Sequence, residues 1–408
     1  MTRVVGLLGS TVLALAWAGC SDDPPVCAQA TESIVTASPL SLARDVTLAR
    51  VGDGFALAAA TGNTVRWARM DAQGVLSGET SFTLPVSPAT LPDGQPLGPY
   101  LAITGKAAAA DQLVAIMGVA RTDAADQYDV LAFTQTAGST AAPVQTTLNA
   151  APLAVAPTSG ALRIVTGSSA TGLRGLVAWG VEGQAAPVSY VILGADGAVL
   201  GRNQIFKEAR VPLMCLREVD GAKAFAVSAL EDSGASQTWR IVDIDESGAP
   251  SEGGAFSLDE VADDCRLVSS TMANTHFVAW QNRQNGTFFA AYYLNTGKVV
   301  SKLVMGVSGF GAYAMMPKVA WIAPIGNDVT IGLARNNGPE VVRFDLFANP
   351  KGRSLHLPSV QAETGPVSAW VGPDTTYVTY LDQGDAADAG PQDIQRYLVA
   401  VQAPAKLP

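Results

Sequence analysis

"CLREVDGAKAFAVSALEDSGASQTWRIVDIDESGAPSEGGAFSL", Cys215–Leu258, is followed six residues later by "CRLVSSTMANTHFVAWQNRQNGTFFAAYYLNTGKVVSKLVMGV", Cys265–Val307. The two stretches share one plan. A short apolar strand opens each, and a longer apolar strand follows it. A polar loop then leads to a third, alternating strand, and a glycine turn leads to a fourth. In "TWRIVDID", Thr238–Asp245, the residues Trp239, Ile241 and Asp243 face opposite to Arg240, Val242 and Ile244, the period of two expected of a strand.

The plan extends in both directions. Downstream copies run over Lys318–Leu357 and Pro366–Val401, and looser upstream copies over Phe55–Leu84, Gln112–Leu148 and Arg174–Phe206. An apolar anchor in the second strand falls at Phe55, Leu113, Leu176, Phe225, Phe277, Val329 and Tyr377, at intervals of 48 to 63 residues. Gly74, Gly138, Gly197, Gly248, Gly297 and Gly352 stand between the third and fourth strands, where a tight hairpin requires positive φ. No stretch beyond the N-terminal leader carries a helical period. Four strands per unit at this period predict an all-β, seven-bladed β-propeller of four-stranded blades.

The seventh unit ends after its third strand, "QDIQRYLVAV", while "ESIVTASPL", Glu32–Leu40, precedes the first unit as an orphan strand. The expectation is that this N-terminal strand completes the last blade and covers an edge that would otherwise invite association. The alternatives are two separate β-sandwiches and a transmembrane barrel; regular aromatic girdles, the mark of the latter, do not occur. The chain resembles the seven-bladed propellers of bacterial surface and secreted lipoproteins over about residues 32 to 401. The resemblance is architectural: Trp-Asp, Asp-box and kelch glycine signatures are missing, so it implies a fold and no site residues.

The N-terminus reads as a targeting segment, with Arg3 ahead of the short apolar run Val4–Ala16, too short to span a bilayer. Ala16-Trp17-Ala18 fits ordinary signal peptidase. Ala18-Gly19-Cys20 resembles the lipobox of bacterial lipoproteins, departing from it at Trp17, and this implies acylation of Cys20. Residues 1–19 are then a signal peptide, 20–31 a lipidated cysteine with a Pro-bearing tether, and 32–408 the propeller. The competing reading is a secreted protein with a Cys20–Cys27 loop; either way the chain enters an oxidising compartment. Beyond residue 20 no further membrane span is expected.

Composition limits function. The 408 residues carry a formal net charge of −10, 48% hydrophobic and only 15% charged residues, enough apolar content for a large core and too acidic a surface for nucleic acid. With only two histidines, His276 and His356, a three-histidine metal site is impossible; no metal and no cofactor is expected. His276 reads as a hydrogen-bonded or rim residue, and His356 as an outer-edge one. Two carboxylate loops remain as ligand or cation candidates: Asp123, Asp126 and Asp129 in blade two, and Asp382, Asp385 and Asp388 in blade seven. The alternative for both is a solvated loop. Asp263 and Asp264 are adjacent in a strand entry, so their side chains should diverge. Cys215 and Cys265 open equivalent inner strands and are candidates for an inter-blade disulfide, the alternative being two buried thiols.

These readings converge on a monomeric, non-catalytic binding or scaffolding lipoprotein of the bacterial cell envelope. It would be held to a membrane by its lipid anchor and meet a protein or glycan ligand. The alternative is a propeller hydrolase acting on glycans through channel-mouth carboxylates.

Overall fold

The computed structural model describes residues 26–27, 31–34 and, within 45–401, the strands and most of the turns between them. Two short strands, β1 (Val26–Cys27) and β2 (Thr31–Ile34), precede the repeats. Five blades follow, each a sheet of four consecutive antiparallel strands. Blade one is β3 (Asp45–Val51), β4 (Gly54–Thr61), β5 (Thr64–Met70) and β6 (Leu76–Thr83). Blade two is β7 (Tyr100–Thr104), β8 (Gln112–Ala120), β9 (Tyr128–Thr136) and β10 (Val144–Thr147). Blade three is β11 (Pro157–Ser169), β12 (Gly172–Val181), β13 (Val188–Leu193) and β14 (Val199–Ile205). Blade four is β15 (Arg210–Glu218), β16 (Lys223–Asp232), β17 (Gln237–Asp245) and β18 (Pro250–Leu258). Blade five is β19 (Asp264–Ser270), β20 (Thr275–Asn282), β21 (Gly286–Tyr293) and β22 (Lys298–Gly306).

Two further sheets depart from that plan. One joins β23 (Lys318–Ile325), β24 (Asp328–Ala334), β25 (Glu340–Phe344) and the two-residue β26 (Leu355–His356), with β1 laid in parallel outside β26. The other joins β27 (Val367–Val371), β28 (Thr376–Leu381) and β29 (Arg396–Val401), with β2 antiparallel to β29. Of the seven four-stranded blades expected, the last closed by the N-terminal strand, the structure shows five. Five blades are complete from contiguous chain, and two sheets draw an outer strand from the N-terminus. Among the described residues the last two repeats supply little outer strand: β26 pairs at two positions with β25, and the last sheet has three strands of its own, so an outside segment covers the edge. Val26–Cys27, expected within the tether, is one such segment. The pairing found for the other spans Thr31–Ile34; residues 35–40 of the expected strand lie outside the described residues.

Burial explains why these sequences take these places. Second strands have sheet on both sides and blades on both faces, so they read as unbroken apolar runs: Phe55–Ala60 and Leu113–Met117 are buried throughout. The repeat anchors Phe55, Leu113, Leu176, Phe225, Phe277 and Val329 are all at most 2% exposed; Tyr377 lies among residues whose side chains are not described. Fourth strands face solvent and are polar, as in the exposed Arg202, Asn203 and Gln204 of β14. Successive inner strands β3, β7, β11, β15, β19, β23 and β27 lie side by side, and β27 lies beside β3. Each blade is a meander, so every inner strand starts on one face of the assembly and every third-to-fourth-strand turn lies on the opposite face.

That opposite face carries a recurring lock. Gly197, Gly248 and Gly297 have φ of 79°, 85° and 62°, as their turns require. The Tyr190 hydroxyl of blade three donates to the Gly248 carbonyl of blade four at 2.7 Å, and Thr146 of blade two donates to the Gly197 carbonyl of blade three at 3.2 Å. Desolvation pushes the Tyr190 phenol up to about 12. Asp245 closes its turn from within, accepting from Ser247 N, Ser247 Oγ and Ala249 N. The Ser247 hydroxyl is the main cause holding that carboxyl below the usual range.

Candidate ligand-binding mouth

On the face where inner strands begin, the best-defined polar surroundings belong to blades two and three. The connection between β6 and β7 folds over blade two: Ala89 N donates to the Gly118 carbonyl and Gly118 N donates to the Leu97 carbonyl, at 2.8 and 2.9 Å. Its own Leu91 and Leu97 are buried in a cluster with Val114 and Ile116. It ends at Gly98, whose φ of 103° and closeness to the Ile116 carbonyl leave no room for a Cβ, and it delivers Tyr100 to the start of β7.

Opposite stands β11, which carries a wide irregularity: Pro157 pairs with Val181, and pairing resumes only at Leu162 with Trp179. The looped-out residues bring Gly160 against the Pro212 carbonyl of β15 and turn the Ser159 carbonyl toward the mouth. That carbonyl accepts from the Tyr100 hydroxyl at 3.5 Å and from Arg163 Nη1 at 2.6 Å. Arg163 Nη1 also donates to the Leu162 carbonyl at 3.0 Å, and the guanidinium lies over the Tyr100 ring, 5.7 Å from its centroid. Such stacking contributes roughly 0.5–1 kcal/mol at a partly exposed site. Bulges of this kind re-aim groups beside functional sites. On the far side of β7, Asp45 Oδ2 accepts from Leu101 N at 2.6 Å, which joins β3 to the same edge.

The carboxylate loop of blade two is also on this face, and it is tied internally. Arg121 donates to both oxygens of Asp123, at 2.9 and 2.6 Å, and to Asp129 at 3.2 Å. Asn149 Nδ2 donates to Asp129 Oδ1 at 2.9 Å. The hydrogen bond from Arg121 is the main cause holding Asp123 below its usual range. Asp126 is exposed, with φ of 67°. Asp129 is a residue of β9 rather than of the loop. Two of the three candidate carboxylates, Asp123 and Asp129, thus face the chain's own Arg121 guanidinium, and among the described residues no three His, Cys, Asp or Glu side chains could hold a metal. Asp382, Asp385, Asp388, Asp263 and Cys20 lie outside the described residues; for Asp264 only the backbone, in β19, is described.

Cys215 and Cys265 are disulfide-bonded, with Cα atoms 6.1 Å apart. They join the inner strands of blades four and five within an apolar cluster that includes Leu213, Trp239 and Trp280. The same seam holds His276, whose Nε2 is 3.4 Å from Asp243 Oδ1, both side chains at most 2% exposed. This pair spans β20 and β17 in a water-excluded place, so it bridges blades and admits no substrate. His356 is placed by its backbone, paired with Cys27 and Glu340.

Among the described residues no helix is long and apolar enough to cross a membrane. No protein-family model matches the chain, and no curated protein matches it. Solved structures do. BBS1N, crystallised in complex with ARL6DN, is 12% identical with a TM-score of 0.53, over 94% of this chain and 100% of that chain. The polysaccharide lyase Uly1 is 10% identical with a TM-score of 0.52, over 88% and 90%. The Dos1 propeller is 13% identical with a TM-score of 0.47, over 90% and 79%. At such identities the first two show shared fold alone, and with the blade topology they define the class: a β-propeller of four-stranded blades.

Proposed function

We propose that this protein is a non-catalytic binding or scaffolding propeller of a bacterial cell envelope, tethered to a membrane through Cys20. We take the two composite sheets as blades six and seven of one closed ring, so that the inner-strand face is a rigid platform for a protein or glycan ligand. One observation carries the non-catalytic reading. The exposed Asp126 apart, the mouth carboxylates described above are engaged: Asp45 by Leu101 N, and Asp123 and Asp129 by Arg121. A general acid or base needs a carboxyl free to exchange a proton with substrate, whereas these hold the backbone and a loop in place. The Cys215–Cys265 bridge agrees with an oxidising compartment.

The deciding experiment pairs fractionation with a turnover screen. Wild type should sediment with membranes, and Cys20→Ala should be released. Purified protein should leave a panel of neutral and acidic glycans uncleaved. Turnover abolished by replacing one mouth carboxylate, with the fold intact, refutes the binding reading in favour of the glycan hydrolase. Soluble wild-type protein refutes the anchor.

A further inference from the structure

We infer that Arg163 is the anion-binding residue of the mouth and that its ligand is a carboxylate. The inference deepens the binding reading above and rests on it. A guanidinium has five N–H donors in a fixed plane. Two Arg163 contacts, to the Ser159 and Leu162 carbonyls, are made by Nη1 alone. The Nε and Nη2 donors have no acceptor among the described residues, and no described carboxylate forms an ion pair with this side chain. Three other arginines differ in this respect, while Arg202, exposed and bonded to the Leu148 carbonyl, likewise has no described ion pair. Arg121 has Asp123 and Asp129, Arg240 has Glu231 and Glu252, and Arg343 has Asp328.

A cation without a carboxylate partner among the described residues, in a chain of net charge −10, gains from an anion brought from outside. Its position is also prepared. The β11 bulge supplies the Ser159 carbonyl that anchors Nη1, the Tyr100 ring lies under the plane, and the Tyr100 hydroxyl is itself held on the same carbonyl. Arg163 is half-buried, so part of its surface meets solvent. A guanidinium whose rotation is restrained by one corner and one face presents its remaining edge as a two-donor fork. The planar, two-oxygen shape of a carboxylate fits that edge in parallel hydrogen bonds, better than a point-charge match would require. Tyr100 acts as a positioning residue in this arrangement: it holds the cation flat and does not itself contact the ligand.

The test titrates the purified full chain calorimetrically with sodium glucuronate, N-acetylglutamate and acetate, and with glucose and sulfate as comparisons. Wild type should bind the carboxylates and not glucose, with affinity falling as salt rises. Glucuronate and N-acetylglutamate separate a sugar acid from an acidic side chain as the source of the carboxylate. Arg163→Gln should lower affinity at least tenfold. Arg163→Lys, which keeps the charge and loses the fork, should fall between the two, and Lys298→Gln, a remote exposed cation, should bind as wild type. Tyr100→Phe should keep the site, and Tyr100→Ala should weaken it with little change in melting temperature. Carboxylate binding that survives Arg163→Gln, no carboxylate binding by wild type, or equal affinity for sulfate overturns the assignment. Glycan turnover would instead overturn the binding reading beneath it, so the two failures are distinguishable.

Discussion

Replacing Cys215 and Cys265 together by alanine removes a cross-link that closes a loop with a sequence separation of 50. In the chain-entropy account, a loop of that length restricts the unfolded ensemble by about 4 kcal/mol at 25 °C. A chain of 408 residues has an unfolding entropy near its midpoint of roughly 0.9 kcal/mol/K. The loss therefore corresponds to a fall in melting temperature of about 5 °C. Alanine is chosen because both positions are buried among Leu213, Trp239 and Trp280, where a serine hydroxyl would add its own desolvation cost. The assay is differential scanning calorimetry of the oxidised wild type, the double variant, and wild type refolded under reductant. The reduced wild type keeps both sulfur atoms, so its difference from the oxidised protein isolates the cross-link, and its difference from the variant reports packing. A double variant that melts within about 1 °C of oxidised wild type, on the same entropy scale, would refute the reasoning, as would free thiols in the native protein by mass spectrometry.

Other perturbations test the mouth and the seams. Gly98→Ala meets both a φ of 103° and the Ile116 carbonyl, 2.7 Å from the added carbon; it should cost about 2–3 kcal/mol, read as a lower urea midpoint. Asp328→Ala removes the carboxylate that Arg343 and Lys351 contact at 2.9 and 2.7 Å, and should destabilise by about 1–2 kcal/mol in the same assay. The Tyr190 phenol is raised to about 12 by desolvation, so its contribution is complete below the unfolded value near 10 and is lost as pH rises from there toward 12. Urea midpoints taken at pH 9, 10 and 11 should fall more steeply for wild type than for Tyr190→Phe, and parallel curves would sink that assignment.

Much of the blade plan was legible because it rests on local rules. Phe55, Leu113, Leu176, Phe225, Phe277 and Val329 mark second strands, since a strand covered on both faces must be apolar throughout, and the glycines of the hairpin turns mark positive φ. The composite sheets were less legible. Nothing local in Val26–Cys27 distinguishes a two-residue parallel strand from a tether, because its partner, Leu355–His356, lies more than three hundred residues away. The mouth was missed for a related reason. Tyr100 and Arg163 carry no motif, and their meeting depends on a bulge that pairing alone reveals. Their equal sequence offsets from the anchors Leu113 and Leu176 do not make them equivalent: Tyr100 pairs with Ile116, three residues past its anchor, and Arg163 with Ala178, two past its own, so superposing the repeats by sequence would not have brought them together. At Asp123, Asp126 and Asp129 the spacing of the carboxylates is visible in sequence, while the pairing of Arg121 with Asp123 and Asp129 is set by the fold of the loop.

The two faces of the propeller divide stability from recognition, and the bonds described above account for the division. On the turn face, side-chain hydroxyls donate to glycine carbonyls of the next blade, at Thr146 to Gly197 and at Tyr190 to Gly248. A backbone acceptor is the same whatever the side-chain sequence, so such a seam constrains only one residue per blade. On the inner-strand face, the contacts are all different: a carboxylate to a backbone N–H at Asp45, a stacked cation at Arg163, and an internally paired loop at Arg121. Contacts that differ from blade to blade break the rotational equivalence of the repeat, and a ligand can be recognised at one seam only if that seam is unlike the others. Transplanting the difference tests this. Arg163 pairs with Ala178, two residues past the anchor Leu176, and its counterpart in blade four is Leu216, which pairs with Val227, two past Phe225. Arg163→Leu therefore reproduces the blade-four residue, keeping an aliphatic body over Tyr100 without the charge. It should fold and melt as wild type within about 1 kcal/mol, as volume-conserving changes at half-buried positions do, while losing carboxylate binding. Unfolding of Arg163→Leu would instead assign the guanidinium to the framework, and the division of labour between the faces would fail at the seam where it is clearest.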